Sequence, residues 1–170
     1  MKFTHDLSTS DQQNLKAIAA MLLARREHVA IAESVTSGHI QARFSAAEQA
    51  TRFYEGGMTT YNLHQKVRLL GVDREVAKIN NCVSEEVAQQ MARGVAKQYQ
   101  SDWGIGITGF AAPMPELGVE KLYAYFSFFY KGQVVKTEKL LGMLDRETEV
   151  QQRYASLVIQ NFKHHLAGSG

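Results

Sequence analysis

Along this 170-residue chain, short apolar runs alternate with segments in which apolar residues recur with the period of an α-helix. The run Val29 to Ala32 suits one strand buried on both faces, and a second such run extends from Trp103 to Thr108. Elsewhere apolar residues recur at steps of four, as in Val87, Met91 and Val95, which is the spacing of one helix face. Alternating strands and helices predict an α/β fold, a three-layer α/β/α sandwich.

Turn signals indicate where the sheet changes direction. Gly56-Gly57 leads into a predicted strand over residues 58–61, and Lys131-Gly132 marks a hairpin between strands over 122–129 and 133–140. We therefore predict a mixed, mostly parallel sheet that ends in an antiparallel hairpin. The predicted helices cover residues 10–27, a segment opening at Ser34 to Gly38, residues 63–70, the segment after Ser84, and a final segment capped by Asp145.

The composition fits one globular domain in the cytoplasm. Hydrophobic residues make up 45% of the chain, which is enough for a sizeable core, and no run of about 18 apolar residues suggests a membrane span. The net charge is +2 with scattered basic residues, so nucleic acid is not an expected partner. We expect a single domain over 1–170, with its core over 10–165 and a tag remnant at 168–170.

The cysteine and the histidines suggest no metal or redox chemistry. Cys82 is the only cysteine, which excludes an internal disulfide and fits a reducing compartment; a small buried residue is the favoured interpretation. The six histidines show no H-E-x-x-H motif or paired-ligand spacing. We therefore predict neither a metal site nor a cofactor.

Hydroxyl residues lie at or just after the ends of three predicted strands. They are Ser34 with Thr36, Tyr61, and Thr108. In open α/β sheets, ligands bind beyond the carboxyl ends of the strands. These four side chains are therefore expected on one rim of the sheet.

Ser34 has two interpretations. In most proteins a serine at a strand-to-helix junction is only the N-cap of the helix. As a nucleophile it would attack a carbonyl carbon while nearby N–H groups hold the oxyanion, and it would need a base. Lys66 is a candidate because a partly buried lysine loses its proton readily. Composition alone favours the alternative, a surface Lys66 and a Tyr61 at the edge of the core.

Five segments, in this order and spacing, resemble the C-terminal domain of the competence/damage-inducible CinA family, the nicotinamide-mononucleotide amidohydrolases. They are A-E-S-V-T-S-G at 32–38, G-M-T-T-Y-N at 57–62 with Lys66, L-G-V at 70–72, V-S-E-E-V-A at 83–88 with Met91-Ala92, and T-G-F-A-A-P at 108–113. The resemblance extends from about residue 10 to about residue 165.

The resemblance implies hydrolysis of the carboxamide of nicotinamide mononucleotide to the acid and ammonia, without a metal, in pyridine-nucleotide salvage. It implies that Ser34 is the nucleophile, Lys66 the base, and Tyr61 a relay or oxyanion partner. The substrate-binding positions that it implies are Thr36, Gly38, Thr108, Gly109 and Arg146. An arginine beside a helix start also suits a phosphate group, which it can bind bidentately.

Departures from the family pattern leave a second hypothesis open. Val35, Ser37 and a loop over 112–121 that includes Glu120 replace family residues, several of them glycines that let a backbone approach phosphate. The alternative is a diverged paralogue with the same fold that binds a nucleotide-like ligand or acts on another amide. A purely structural interaction module would leave the hydroxyl cluster unexplained. The aromatic strand near 123–130 needs cover on both faces, which favours a homodimer or higher homo-oligomer.

Overall fold

The computed structural model describes residues 8–168. Eleven helices and strands form its framework, and they are, in chain order, α1 Thr9–Arg25, β1 Val29–Glu33, α2 His39–Ser45, β2 Tyr54–Thr59, α3 Leu63–Leu70, α4 Arg74–Ile79, α5 Glu85–Tyr99, β3 Trp103–Gly109, β4 Tyr123–Tyr130, β5 Gln133–Leu141 and α6 Glu147–Gly168. Two single-turn 3₁₀ helices, Ala50–Arg52 and Pro115–Leu117, lie in the loops.

The five strands form one sheet in the order β2-β1-β3-β4-β5. β1 is parallel to both β2 and β3, whereas β4 and β5 are antiparallel to their neighbours. Ala32 lies opposite Met58 on one side and Gly106 on the other, so the three parallel strands end at the same edge of the sheet. The predicted fold class is confirmed.

Helices α1, α2 and α6 cover one face of the sheet. Their apolar side chains form the larger core with the strand residues that point the same way, such as Ile31 and Phe128. The Trp103 ring contacts the Phe162 ring edge to face, with their centroids 5.4 Å apart. Because helices lie on both faces of β1, all five of its residues are buried, which explains its continuous apolar run.

Helix α5 lies unusually close to β3 on the opposite face. A Cβ atom built on Gly106 would lie 2.5 Å from the carbonyl oxygen of Ala88, and one on Gly104 would lie 2.0 Å from that of Ala92. Only glycine allows this approach, since those neighbours are backbone atoms. The contact fixes the end of β3, where Thr108 lies.

Strand β2 occupies residues 54–59, so the prediction of a strand over 58–61 was wrong by several residues. Gly56-Gly57 belongs to the strand because a Cβ on Gly57 would lie 2.4 Å from the carbonyl oxygen of Ile31. Those glycines serve close packing rather than a turn. Tyr61 consequently lies two residues beyond the strand, in the link to α3.

Two further helix boundaries differ from the sequence predictions. Helix α4 was not predicted; the Asp73 carboxylate caps it by accepting the N–H groups of Glu75 and Val76. Helix α6 begins at Glu147, so Asp145 precedes the cap position and accepts the N–H of Arg146 instead.

Helices of the same chain cover both faces of the aromatic strand β4. Phe126 and Phe128 are buried in the larger core, and Ser127, on the other face, is fully buried as well. Strand β4 therefore needs no second subunit to cover its aromatic residues, and the homo-oligomer stays a prediction. Within residues 8–168, none of the helices has the length and apolar composition needed to cross a membrane.

Candidate active site

The turn after β1 is capped by Glu33, not by Ser34. The fully buried Glu33 carboxylate accepts the N–H groups of Gly38, Ile40 and Gln41 at 3.1, 3.1 and 2.8 Å. Helix α2 begins only at His39, so the prediction that Ser34 to Gly38 opens the helix was wrong. With the cap supplied by a carboxylate, the Ser34 hydroxyl is available for another contact.

That contact is with Lys66. The Lys66 Nζ lies 2.8 Å from the Ser34 Oγ, 2.8 Å from the carbonyl oxygen of Thr60 and 3.4 Å from that of Tyr61. Lys66 is only 1% exposed, so the interpretation as a surface lysine was wrong. Asn62 caps α3 and starts the helix so that Lys66 lies on its inner face with Leu70.

Burial lowers the pKa of Lys66 from its usual 10.5 to about 8, because removal from water disfavours the ammonium. Among the described residues no carboxylate forms an ion pair with it. As a neutral amine, Lys66 can donate its two N–H bonds to the carbonyls of Thr60 and Tyr61. Its lone pair is then free to accept the Ser34 O–H.

Ser34 and Lys66 face a cavity of about 230 Å³ beyond the carboxyl ends of β1 and β3. Its walls combine apolar side chains with a few polar ones, and they include Val35, Asn81, Cys82, Val83, Phe110, Ala111, Ala112, Met114 and, from α6, Glu147 and Gln151. This location agrees with the rule for open α/β sheets. A second cavity, of about 680 Å³, lies between α1, α2 and α6 and includes neither Ser34 nor Lys66.

Thr108 and Gly109 line the cavity from the end of β3. The buried Thr108 hydroxyl donates to the carbonyl oxygen of Cys82 at 2.6 Å, which joins β3 to the segment before α5. A Cβ on Gly109 would lie 2.5 Å from the Cβ of Ala124, so the strand pairing itself requires glycine here. Cys82 is half-buried rather than buried, and burial raises the pKa of its thiol.

Tyr61 lies at the mouth of the cavity. Its side chain is 65% exposed, and its backbone carbonyl rather than its hydroxyl contacts Lys66. The structure thus brings Tyr61 to the site, with a side chain that is open to solvent. A bound substrate could contact its ring without displacing any core residue.

Three predicted substrate-binding residues do not line the cavity. Thr36 is fully buried, and among the described residues its hydroxyl has no hydrogen-bond partner. Gly38 occupies the N-cap position of α2 with φ +95°, a conformation that favours glycine. Arg146 is 83% exposed and its guanidinium pairs with Glu149.

Four polar groups that define the site were not predicted from the sequence. Glu33 holds the turn that carries Ser34, Asn81 and Gln151 line the wall, and Glu147 lies at the mouth. Only Glu33 had a usable signal, a carboxylate directly after a buried strand and before a helix start. Within residues 8–168 there is also no cluster of three or more His, Cys, Asp or Glu side chains able to hold a metal ion.

Backbone N–H groups are available beside Ser34. In the part of the chain that the structure describes, the turn has two backbone hydrogen bonds. The Ser37 N–H donates to the Ser34 carbonyl, and the His39 N–H donates to the Thr36 carbonyl. These bonds leave the N–H groups of Val35 and Thr36 without an acceptor. Val35 lines the cavity and Thr36 does not, so the Val35 N–H is the group that can bind an oxyanion formed next to Ser34.

Fold and site together define the class of protein. It is a three-layer α/β/α domain with a buried serine–lysine pair at the carboxyl edge of its sheet. The family model of the CinA C-terminal domain matches residues 11–166. The chain therefore belongs to the CinA C-terminal domain family, as its motifs indicated.

Relatives and solved structures carry the same family name. A putative competence-damage inducible protein of Moorella thermoacetica is 39% identical over 138 residues, which are 78% of this chain and 33% of that protein. A CinA-like protein of Picosynechococcus is 41% identical over 109 residues, 64% of this chain and 26% of that protein. The chain thus spans a third or less of the length of these relatives.

Structural similarity extends over nearly the whole chain. A crystal structure of a CinA superfamily protein from Klebsiella pneumoniae superposes with a TM-score of 0.86 at 25% identity, covering 93% of this chain and 98% of that one. One from Escherichia coli gives 0.81 at 27% identity, with 95% of each chain covered. These matches establish the CinA-type fold for the chain.

Proposed function

We propose that this protein is a metal-independent amidohydrolase that converts the carboxamide of nicotinamide mononucleotide to nicotinate mononucleotide and ammonia. The observation that carries the proposal is the 2.8 Å contact between the Ser34 Oγ and the Lys66 Nζ, both buried and both facing the cavity. A lysine with a lowered pKa and no acidic partner among residues 8–168 is suited to activate a serine.

The first half-reaction forms an ester on Ser34. The neutral Lys66 amine takes the Ser34 proton as the serine oxygen bonds to the carboxamide carbon. The carbonyl oxygen becomes an oxyanion that the N–H of Val35, in the cavity wall, can bind. The Lys66 ammonium then protonates the leaving nitrogen, the C–N bond breaks, and ammonia departs.

The second half-reaction releases the acid. Lys66 is again neutral and takes a proton from water as the water oxygen bonds to the ester carbon. When the tetrahedral intermediate collapses, the bond to the Ser34 oxygen breaks and that oxygen receives the proton from Lys66. The carboxylate product leaves and the starting state is restored. Tyr61 at the mouth is in place to contact the ring of the substrate.

Ammonia release from nicotinamide mononucleotide tests this proposal. We expect Ser34→Ala to lower kcat by about 10³-fold or more, since the nucleophile is lost. Ser37→Ala is the matched control, because Ser37 is an exposed serine in the same turn. Turnover that survives Ser34→Ala at the wild-type rate would remove Ser34 from the mechanism.

The alternative is a diverged paralogue that binds a nucleotide-like ligand or acts on another amide. The specific observation in its favour is that Arg146, the expected phosphate contact, pairs with Glu149 and does not line the cavity. Thermal unfolding with nicotinamide mononucleotide distinguishes the two, because a ligand that binds only the folded state raises the midpoint. A raised midpoint without ammonia release would favour the alternative.

A further inference from the structure

Only two charged side chains line the active-site cavity in the described part of the chain. Lys66 lies at its inner end, almost fully buried, and Glu147 lies at its mouth in the first turn of α6. When Lys66 acts as a neutral base, the Glu147 carboxylate is the one formal charge that residues 8–168 place along the cavity wall. The electrostatic field at the mouth therefore favours positive charge.

Among the described residues, Lys66 is the one basic side chain in the cavity lining, and it lies at the inner end and not at the mouth. Arg146 precedes Glu147 in the chain, but its guanidinium pairs with Glu149, a residue that borders the second cavity and not the active site. Gln151, one turn along α6 from Glu147, offers only a neutral amide. A phosphate group near Glu147 would be repelled by its carboxylate.

The size of the cavity limits what it can enclose. Its volume of about 230 Å³ lies below the roughly 300–1,000 Å³ of cavities that enclose whole drug-sized ligands. It can hold a single aromatic ring with its carboxamide next to Ser34. Whatever is attached to the other side of the ring extends past Glu147 and Tyr61 into solvent.

We propose that Glu147 is a specificity residue that recognises the positive charge of a pyridinium ring. The site then binds N-substituted pyridinium carboxamides without recognising a phosphate. This inference rests on the proposed amide hydrolysis at Ser34. The ring cation is stabilised by the Glu147 carboxylate on one side and can lie against the aromatic face of Phe110 or Tyr61.

The matched probes are nicotinamide, which is neutral, and the N1-methylnicotinamide cation. The ring charge also makes the carboxamide carbon more electrophilic, so a preference of the wild-type enzyme for the cation proves nothing about Glu147. The informative quantity is the ratio of kcat/KM for the cation to that for the neutral amide, compared between the wild type and Glu147→Gln.

We expect Glu147→Gln to lower this ratio about two- to fivefold, the range for an exposed or half-exposed ion pair, and the drop to shrink at high salt. Glu48→Gln, which removes an exposed carboxylate that is not part of the cavity lining, is the control and leaves the ratio unchanged. A ratio that is the same in the wild type and Glu147→Gln would overturn the role of Glu147.

The second comparison concerns the phosphate. On the wild type we expect kcat/KM for nicotinamide mononucleotide and for the corresponding riboside to agree within about threefold, since none of the described residues at the mouth is basic. A mononucleotide preferred tenfold or more would show that the site binds phosphate, and would overturn this part of the inference.

Binding separates failure of this inference from failure of the proposed function. If no amide is hydrolysed by any variant, the proposed function fails, and the two nicotinamide probes are then titrated by NMR. Glu147→Gln should weaken binding of the cation about two- to fivefold relative to the neutral amide. An equal effect on both probes would contradict the inference even then.

Discussion

The Lys66 amine lies 2.8 Å from the Ser34 hydroxyl and is held there by the carbonyls of Thr60 and Tyr61. The two carbonyls accept hydrogen bonds from the nitrogen in either protonation state, so they fix its position without supplying a full counter-charge. Burial then decides the protonation state. The arrangement explains how a serine outside a Ser-His-Asp triad can have a base next to it.

The rate of amide hydrolysis should depend on pH through Lys66. Because the pKa of Lys66 is lowered to about 8, the amine is protonated and inactive as a base at lower pH. We expect kcat/KM to rise about tenfold per pH unit below pH 8 and to level off above it. Steady-state kinetics between pH 6 and 10 measure this, and a flat profile across pH 8 would count against Lys66 as the base.

Substitution of Lys66 should remove activity and not the fold. Lys66→Met keeps the length of the side chain and removes the amine, so we expect kcat to fall about 10³-fold or more. Lys66→Arg should not restore the rate, because a guanidinium stays protonated. Circular dichroism verifies folding, and a Lys66→Met variant that keeps most of the wild-type kcat would be inconsistent with the mechanism.

The same substitution should reveal a pH-dependent cost of burying Lys66. The folded-state pKa of about 8 lies below the unfolded value of 10.5, so the unfolded chain binds more protons between those pH values. Wild-type stability relative to Lys66→Met should therefore rise by about 3 kcal/mol from pH 8 to above 10.5. Urea unfolding of both proteins at pH 7.5 and pH 10.5 measures the difference, which would stay constant if burial did not perturb the amine.

Glu33→Gln should weaken both the fold and the activity. An amide keeps one oxygen acceptor, but its NH₂ group replaces either the oxygen that accepts from Gly38 and Ile40 or the one that accepts from Gln41. We expect a loss of about 2 kcal/mol in urea unfolding and a lower kcat, since the turn that carries Ser34 shifts. Asp73→Asn, at the exposed cap of α4, is the control with a smaller expected loss. Equal stability of Glu33→Gln and the wild type would refute the capping role.

Gly106→Ala should push α5 away from β3. The added Cβ would lie 2.5 Å from the carbonyl oxygen of Ala88 and 2.6 Å from the backbone nitrogen of Ala92, and neither can rotate away. We expect a loss of about 1–3 kcal/mol, or more if the helix cannot adjust. Gly168→Ala is the control, because no atom that the structure describes lies within 4 Å of a Cβ built there. An equally small effect of both substitutions would contradict the close packing.

The sequence was most informative where one physical signal dominates. The continuous apolar runs of β1 and β3 could be recognised because both faces of these strands are buried. Helix α5 was evident from its Ser84 cap and its four-residue spacing, and the Lys131-Gly132 turn predicted the hairpin. In each case the pattern depends on local chemistry and needs no knowledge of distant contacts.

The remaining features depend on contacts between distant parts of the chain. Gly57 looks like a turn residue until the carbonyl of Ile31 is placed against it. From the sequence, Lys66 looks like a surface residue. Only the packed structure shows that it is buried beside Ser34. The orientation of Arg146 likewise depends on its pairing with Glu149, which no motif specifies.

The most direct test of the account is to look for the ester on Ser34 itself. The purified protein is mixed with nicotinamide mononucleotide, quenched in acid within one turnover and digested, and the peptide that contains Ser34 is measured by mass spectrometry. We predict an acyl adduct on Ser34 that is absent from Ser34→Ala and decays as the acid product appears. Release of ammonia by the wild type and by Ser34→Ala at equal rates, with no adduct in either, would contradict the central claim.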